Sequence, residues 1–387
     1  MFSSNPTLLL FLLPPSFSTA PKNKTFSSST LPLQLFLPPS IMDDPDDETV
    51  LHYTVDTQPA WEDEEDGEYH GPFAGNTTAT RFTVGPGVTE IGAGTFYDCP
   101  SLSSLQGMGE GVTRIGKSAF MATGLVTLQG MGKNVEEIGD GAFEDCEDLT
   151  SLRGIPESVT VISSEAFYAC SGLTSLQGLP DSLTAIGNGN GSGVFSGCSG
   201  LTSLQGLSKN ITMLGFGCFV NCDGITSLQG GECVTVIGVR AFSACRGLTT
   251  LRGLSRNVTA IGDRAADVAA SFTGAFYNCT RLVSIGPGFS PSCFVHPDTF
   301  DRCPALLAAA TAKGFSTAIE WGRHHWLAYS RRRFTVLTAV RQVRRSPPSP
   351  DPPSPLLSLL AGAPDDIVRV IVGFMGEGVE ERAQAGG

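Results

Sequence analysis

The chain has 387 residues, 41% of them hydrophobic, and a formal net charge of −13. That length accommodates two or three domains of ordinary size. No stretch supplies the roughly 18 apolar residues that a spanning helix needs. Most of the negative charge sits in one segment, and the regular part of the chain is nearly balanced at nineteen acids to fourteen bases. A nucleic-acid surface, which requires a basic face, is therefore not expected.

Residues 1–41 are rich in Ser, Pro, Leu and Phe. The run TLLLFLL from Thr7 with a small-residue site at Ala20 has the outline of a secretory signal. The apolar run is short, prolines interrupt it, and no Lys or Arg precedes it. Disordered low-complexity sequence, or a start set too early with Met42 as the alternative, is the first reading. Residues 42–79 form an acidic segment: Met42 to Gly75 holds twelve acids and no Lys or Arg. Runs such as Glu62 to Asp66 read as solvated.

Over residues 80–314 a unit of about 24 residues returns about nine times. Consecutive copies begin at Val135 (VEEIGDGAFEDCEDLTSLRGIPES), Val159, Leu183 and Ile211. A fixed period of this size predicts a solenoid whose units bury their apolar faces on one another. The V-T-x-I segment predicts a short strand, A-F-x-x-C-x-x-L one helical turn, and L-T-S-L-Q-G the longer strand. Glycines at fixed phase, such as Gly154 and Gly178, predict corners. One unit holds too few apolar residues to offset the ordering of its own chain, so the stack must fold as a set.

The pattern L-x-x-L…V-T-x-I-G-x-x-A-F-x-x-C-x-x-L, kept from about Val88 to Leu306, resembles the BspA-like leucine-rich repeat, whose units span 23 to 24 residues. The resemblance implies a curved α/β solenoid with a strand-lined concave face. It also implies protein binding, often in surface adhesion or host contact, and it brings no catalytic residues.

Departures from the repeat are the candidate sites of individual function. The copy at Val112 is one residue short, with Thr123 in place of Cys. The copy at Leu183 carries an insertion containing Asn188 and Asn190, and the copy at Val258 one that begins with Asp263 and Arg264. Such insertions bulge from one side of a stack. A column of Gln106, Gln129, Arg153, Gln177, Gln205, Gln229 and Arg252 follows the longer strand. It is either a binding strip or, the favoured reading, a ladder of side chains bonding one another.

Eight of the eleven cysteines share one phase, among them Cys146, Cys170, Cys198 and Cys222. In a stack their side chains point the same way, with Cβ atoms about 4.8 Å apart against the usual disulfide value near 3.8 Å. Buried free thiols are expected, which favours a cytoplasmic location over a secreted or cell-surface one. Six N-x-S/T sequons, including Asn210 and Asn257, read first as turn chemistry. No His joins the thiols and no C-x-x-C pair exists, so no metal, cofactor or catalytic set is expected.

After Gly314 the period is lost. Residues 315–345 predict a basic helix, a cap for the last repeat or a docking element, with membrane contact disfavoured. Residues 346–355 are a Pro-rich linker. Residues 356–387 hold an amphipathic helix opening at Pro364, with Ile367, Val370, Ile371 and Phe374 on one face. It faintly resembles the first helix of an F-box, which would make the chain a ubiquitin-ligase adaptor. The expectation is an α/β leucine-rich repeat solenoid with a small helical C-terminal segment, acting as a non-enzymatic scaffold for a protein partner. A secreted or surface adhesion protein is the alternative.

Overall fold

The computed structural model describes residues 49–57, 61–62, 69–187, 192–262, 274–286 and 288–345. The expectations for residues 1–41, 346–355 and 356–387 lie outside them. The described chain is a solenoid of stacked short parallel strands with helices at its C-terminal end. After β1 (Val50–Tyr53), β2 (Trp61–Glu62), β3 (Tyr69–His70) and β4 (Arg81–Val84), one two-residue strand follows in each coil. These are β5 (Glu90–Ile91), β6 (Arg114–Ile115), β7 (Glu137–Ile138) and β8 (Val161–Ile162), then β9 (Ala185–Ile186), β10 (Met213–Leu214), β11 (Val236–Ile237), β12 (Ala260–Ile261) and β13 (Phe294–Val295). β5–β8 form one parallel sheet and β9–β13 another. Pairing is in register, so Ile91 meets Ile115 and Met213 meets Val236. Alternation along a strand sends the Ile inward and the preceding residue outward.

The strand assignments of the sequence are reversed in weight. V-T-x-I carries the ladder, whereas L-T-S-L-Q-G shows only isolated bridges, Thr127 to Ser151 and Thr250 to Ser284. The cause is local. The amides of Gln129, Arg153 and Arg252 each donate to the hydroxyl two residues earlier, at 3.2 Å. An amide bonded within its own coil cannot extend a ladder to the next. At the N-terminal end this constraint is lifted. There β1 pairs with β4, and the Val84 amide donates to the Gly107 carbonyl at 2.9 Å. The solenoid thus begins before Thr80, inside the segment whose composition had marked it only as acidic. Phe73 stacks on Phe96 there, at 5.5 Å between centroids.

A-F-x-x-C makes a single tight turn rather than an α-helix. In the copy at Val135, Ala142 N–H donates to the Gly139 carbonyl and Glu144 N–H to that of Gly141. Asp145, directly before the cysteine, then takes φ +55°, and its N–H donates to the Tyr168 carbonyl of the next coil at 2.9 Å. A left-handed residue cannot continue a helix. Only in the last coil does the turn become a one-turn 3-10 helix, Pro297–Phe300.

This turn builds the core. From Phe96 to Phe276, rings of successive coils stack 5.1 to 5.6 Å apart with planes within 16°. Each of the eight in-phase cysteine thiols donates to the carbonyl of the phenylalanine one coil back. Cys146 reaches Phe120 at 3.2 Å, Cys170 reaches Phe143 at 3.1 Å, and Cys245 reaches Phe219 at 3.0 Å. Thr123 does otherwise: its hydroxyl donates within its own coil to the Phe120 carbonyl, at 2.9 Å. All eleven cysteines are free thiols, and only Cys233 is exposed. Burial pushes Cys99 up to about 11 and Cys245 to about 12, and raises Cys146 and Cys222 as well.

Beyond the last coil lie α1 (Pro304–Ala312), which the repeat pattern had hidden, and α2 (Ala318–Arg345), close to the expected basic helix. Trp321 is buried, and Phe289 N–H donates to the Gly322 carbonyl at 3.1 Å, so the first turns of α2 lie on the end of the stack.

Two outcomes follow from the packing. A maleimide probe at pH 7.5 labels one thiol in the folded chain, Cys233, and all eleven after denaturation; mass spectrometry counts the adducts. At Gly178, φ is +107° and a Cβ would lie 2.4 Å from the Arg153 amide nitrogen. Gly178→Ala is therefore expected to lower stability by about 3 kcal/mol or more in urea unfolding.

Candidate partner-binding surface

The Gln and Arg column is exposed along its whole length, from Gln106 to Arg252. One step forms the expected ladder: Arg153 Nη2 donates to Gln177 Oε1 at 2.8 Å. The side chains of Gln106, Gln129, Gln205 and Gln229 make no hydrogen bond among the described residues. Their main chains are structural, since the carbonyls of Gln205 and Gln229 accept from Leu176 and Leu204, each at 2.9 Å. Asn188, Asn190, Asp263 and Arg264 lie outside the described residues, so no geometry attaches to the two insertions beyond their attachment points, Gly187 and Gly262.

A second column lies on the strand face, at the outward position of V-T-x-I. In β5 to β7 it is charged: Arg114 sits between Glu90 at 3.9 Å and Glu137 at 3.3 Å. From β8 onward it is apolar, as Val161, Ala185, Met213, Val236, Ala260 and Phe294. Val161 is 46% exposed. Two coils add a further apolar residue three positions on, Phe216 after Met213, 49% exposed, and Val239 after Val236, half-buried. Those two coils stand between the two that carry insertions. The adjacent threonines are spent on the stack: Thr235 donates to the Thr212 carbonyl at 3.2 Å and Thr259 to that of Thr235 at 3.1 Å. The signal for this column was present in the sequence. It is the variable letter of an otherwise fixed V-T-x-I.

Acids concentrate in the neighbouring coils. Residues 135–187 hold ten acids and one base, Arg153. Glu144 is half-buried beside Asp145 and Glu165, and burial with these two like charges raises its carboxyl to about 7. Among the described residues no group of His, Cys, Asp and Glu is arranged to hold a metal. His296 is buried and accepts the Asp298 amide at 3.3 Å, a cap for the last turn. An open cavity of about 600 Å³ between the last coil and the helices is lined by Phe300, Leu306, Leu307 and Ile319. Its polar lining includes Thr280, Asp301, Arg302 and Cys303, whose thiol donates to the Phe276 carbonyl at 3.0 Å.

The model of the BspA-type leucine-rich repeat region matches in six copies, over residues 71–190, 136–273 and 178–306. Among solved structures, a leucine-rich repeat protein from Bacteroides ovatus is similar at 22% identity and a TM-score of 0.38, over 66% of this chain and 73% of its own. One from Eubacterium ventriosum is similar at 19% identity and 0.35, over 59% and 72%. A leucine-rich cell surface protein from Faecalibacterium prausnitzii is similar at 19% identity and 0.29, over 66% and 86%. Among curated proteins none matches.

Glu144 gives the surface a pH signature. Its folded value, about 7, lies above its ordinary 4.5, so the fold favours the protonated acid and loses that preference as pH rises through this window. Glu144→Gln is expected to match the parent at pH 4 and to exceed it by about 1 kcal/mol at pH 8, solvent screening included, in chemical unfolding at both pH values.

Proposed function

Because this chain belongs to the BspA-type leucine-rich repeat family, we propose that it is a non-enzymatic scaffold that binds another protein through the outward face of its short strands. The observation that carries this reading is the apolar column from Val161 to Phe294. It is a continuous run of apolar side chains, Val161 exposed and the other five half-buried, beside threonines such as Thr235 and Thr259 that are already bonded to the stack. Scattered apolar residues on a surface are ordinary, but a contiguous patch marks a contact. The exposed glutamines of the other column supply a polar surface one corner away, and the insertions after Gly187 and Gly262 supply the variation between coils that a specific site uses.

The same role at the cell surface is the second reading. The inclination toward the cytoplasm rested on reduced thiols. In this packing the ladder thiols are buried and bonded to carbonyls, so their reduced state carries no information about the compartment. A relative described as a cell surface protein leans the same way. The adaptor reading rests on Pro364 to Phe374, outside the described residues.

A photo-crosslinking residue at Phe216 or Val161, in the full chain in its native cell, is expected to capture a protein partner. Phe216→Asp together with Val236→Asp is expected to abolish crosslinking from Val161 while leaving the thermal transition in place. Failure to capture any protein from either position overturns the scaffold reading, and surface biotinylation of the same cells separates the two locations.

A further inference from the structure

We propose that the strand face from β8 to β12 takes an amphipathic α-helix lying across the strands, along the stack, with the helix's basic end over the coil of Val135. This rests on the protein-binding reading and names the class of partner for that face.

The spacing of the column selects a helix. Neighbouring parallel strands lie about 4.8 Å apart. Met213, Val236 and Ala260 are in-register neighbours, so they recur at that interval. The stack continues through the gap between the two sheets, because Phe167 and Phe195 are 5.5 Å apart across it, which keeps Val161 in line. An α-helix repeats a face every turn, about 5.4 Å, and slips only about 0.6 Å per coil. An extended chain on the same path repeats a face about every 6.7 Å and slips about 2 Å per coil. Edge pairing is also closed to a partner here, since β10, β11 and β12 each have a strand on both sides. Phe216, exposed, and Val239, half-buried, follow Met213 and Val236 by three residues in their coils and add apolar surface there.

Charge sets the direction. At the β8 end the column runs into Glu136, Glu137 and Asp140. Glu137 is bonded to Arg114 at 3.3 Å, and Asp140 Oδ1 accepts the Ser164 amide at 2.9 Å. Glu136 is exposed with no side-chain partner among the described residues. An acidic edge on an apolar face attracts a segment that is apolar along one stripe and basic at one end.

The probes are three labelled 18-residue peptides: a helix with one apolar residue per turn and lysines at one end, the same composition broken by a central proline, and the first with glutamates for lysines. With the full chain in low salt, fluorescence anisotropy is expected to show binding of the first and at least tenfold weaker binding of the other two. Phe216→Asp, checked for its melting transition, is expected to weaken the first at least tenfold, and so is Val161→Lys at a position already exposed. Glu136→Lys is expected to weaken the lysine peptide and strengthen the glutamate peptide. Equal binding of the proline-broken peptide, no binding of any peptide, or indifference to Phe216→Asp and Val161→Lys overturns the helical partner. If in-cell crosslinking from Phe216 still captures a protein, that failure belongs to the partner class and the scaffold reading stands.

Discussion

Each coil of this protein has one phenylalanine that it cannot bury alone, and the stacking of that ring on the next sets everything else. Ring centroids from Phe96 to Phe276 stay within 5.1 to 5.6 Å, and every one of these rings is fully buried. Full burial contributes roughly 1.5–3 kcal/mol per ring, and a well-placed aromatic pair adds about 0.5–1.5 kcal/mol. The same turn exposes the phenylalanine carbonyl to the core, where an unpaired acceptor is costly. The thiol of the following coil meets it. In the coil of Val112, Thr123 bonds within its own coil instead, and the rings on either side still stack at 5.1 and 5.5 Å. Ring stacking thus imposes one spacing on the coils, thiol donation reinforces it where a cysteine is present, and the short strands pair in register because that spacing suits a parallel ladder.

Such a core leaves little freedom inside and much outside. The inward residue of each V-T-x-I stays aliphatic, Ile in most coils and Leu214 or Val295 in two, whereas the residue before it varies from charged to apolar. Along the stack it changes from Glu90, Arg114 and Glu137 to Val161, Met213 and Val236. The main chain beneath is the same in both halves, so the change has no structural motive in the ladder itself. The acidic coils show the cost that a repeat can carry: Glu144, Asp145 and Glu165 are brought together by stacking, and the fold holds the Glu144 carboxyl near neutrality as a result.

The ends of the stack solve a different problem. A terminal coil would leave its phenylalanine half-covered. At the N-terminal end Phe73 covers Phe96, and Tyr53 lies against both. At the other end Phe300 covers Phe276, Phe289 stacks on Phe300, and Gly322 of α2 lies against the Phe289 ring. Gly322 is needed there because a Cβ would come within 2.4 Å of that ring.

The sequence by itself determined the solenoid, its period, the inward positions, the glycine corners and the free state of the thiols. All of these depend on local periodicity and on side chains repeated at one phase. It also held, unread, the apolar outward column, since a variable letter looks like noise until the strand that carries it is located. Only the tertiary structure decided which segment forms the ladder. V-T-x-I and L-T-S-L-Q-G have similar strand character, and the choice falls to a hydrogen bond from the amide of residues such as Gln129 to a neighbouring hydroxyl, against one to the next coil. It likewise decided that the thiols are donors to the phenylalanine carbonyls and that α1 exists at all. Those outcomes depend on what a residue meets one coil away; the repeat gives that separation of about 24 positions but not which atoms meet across it.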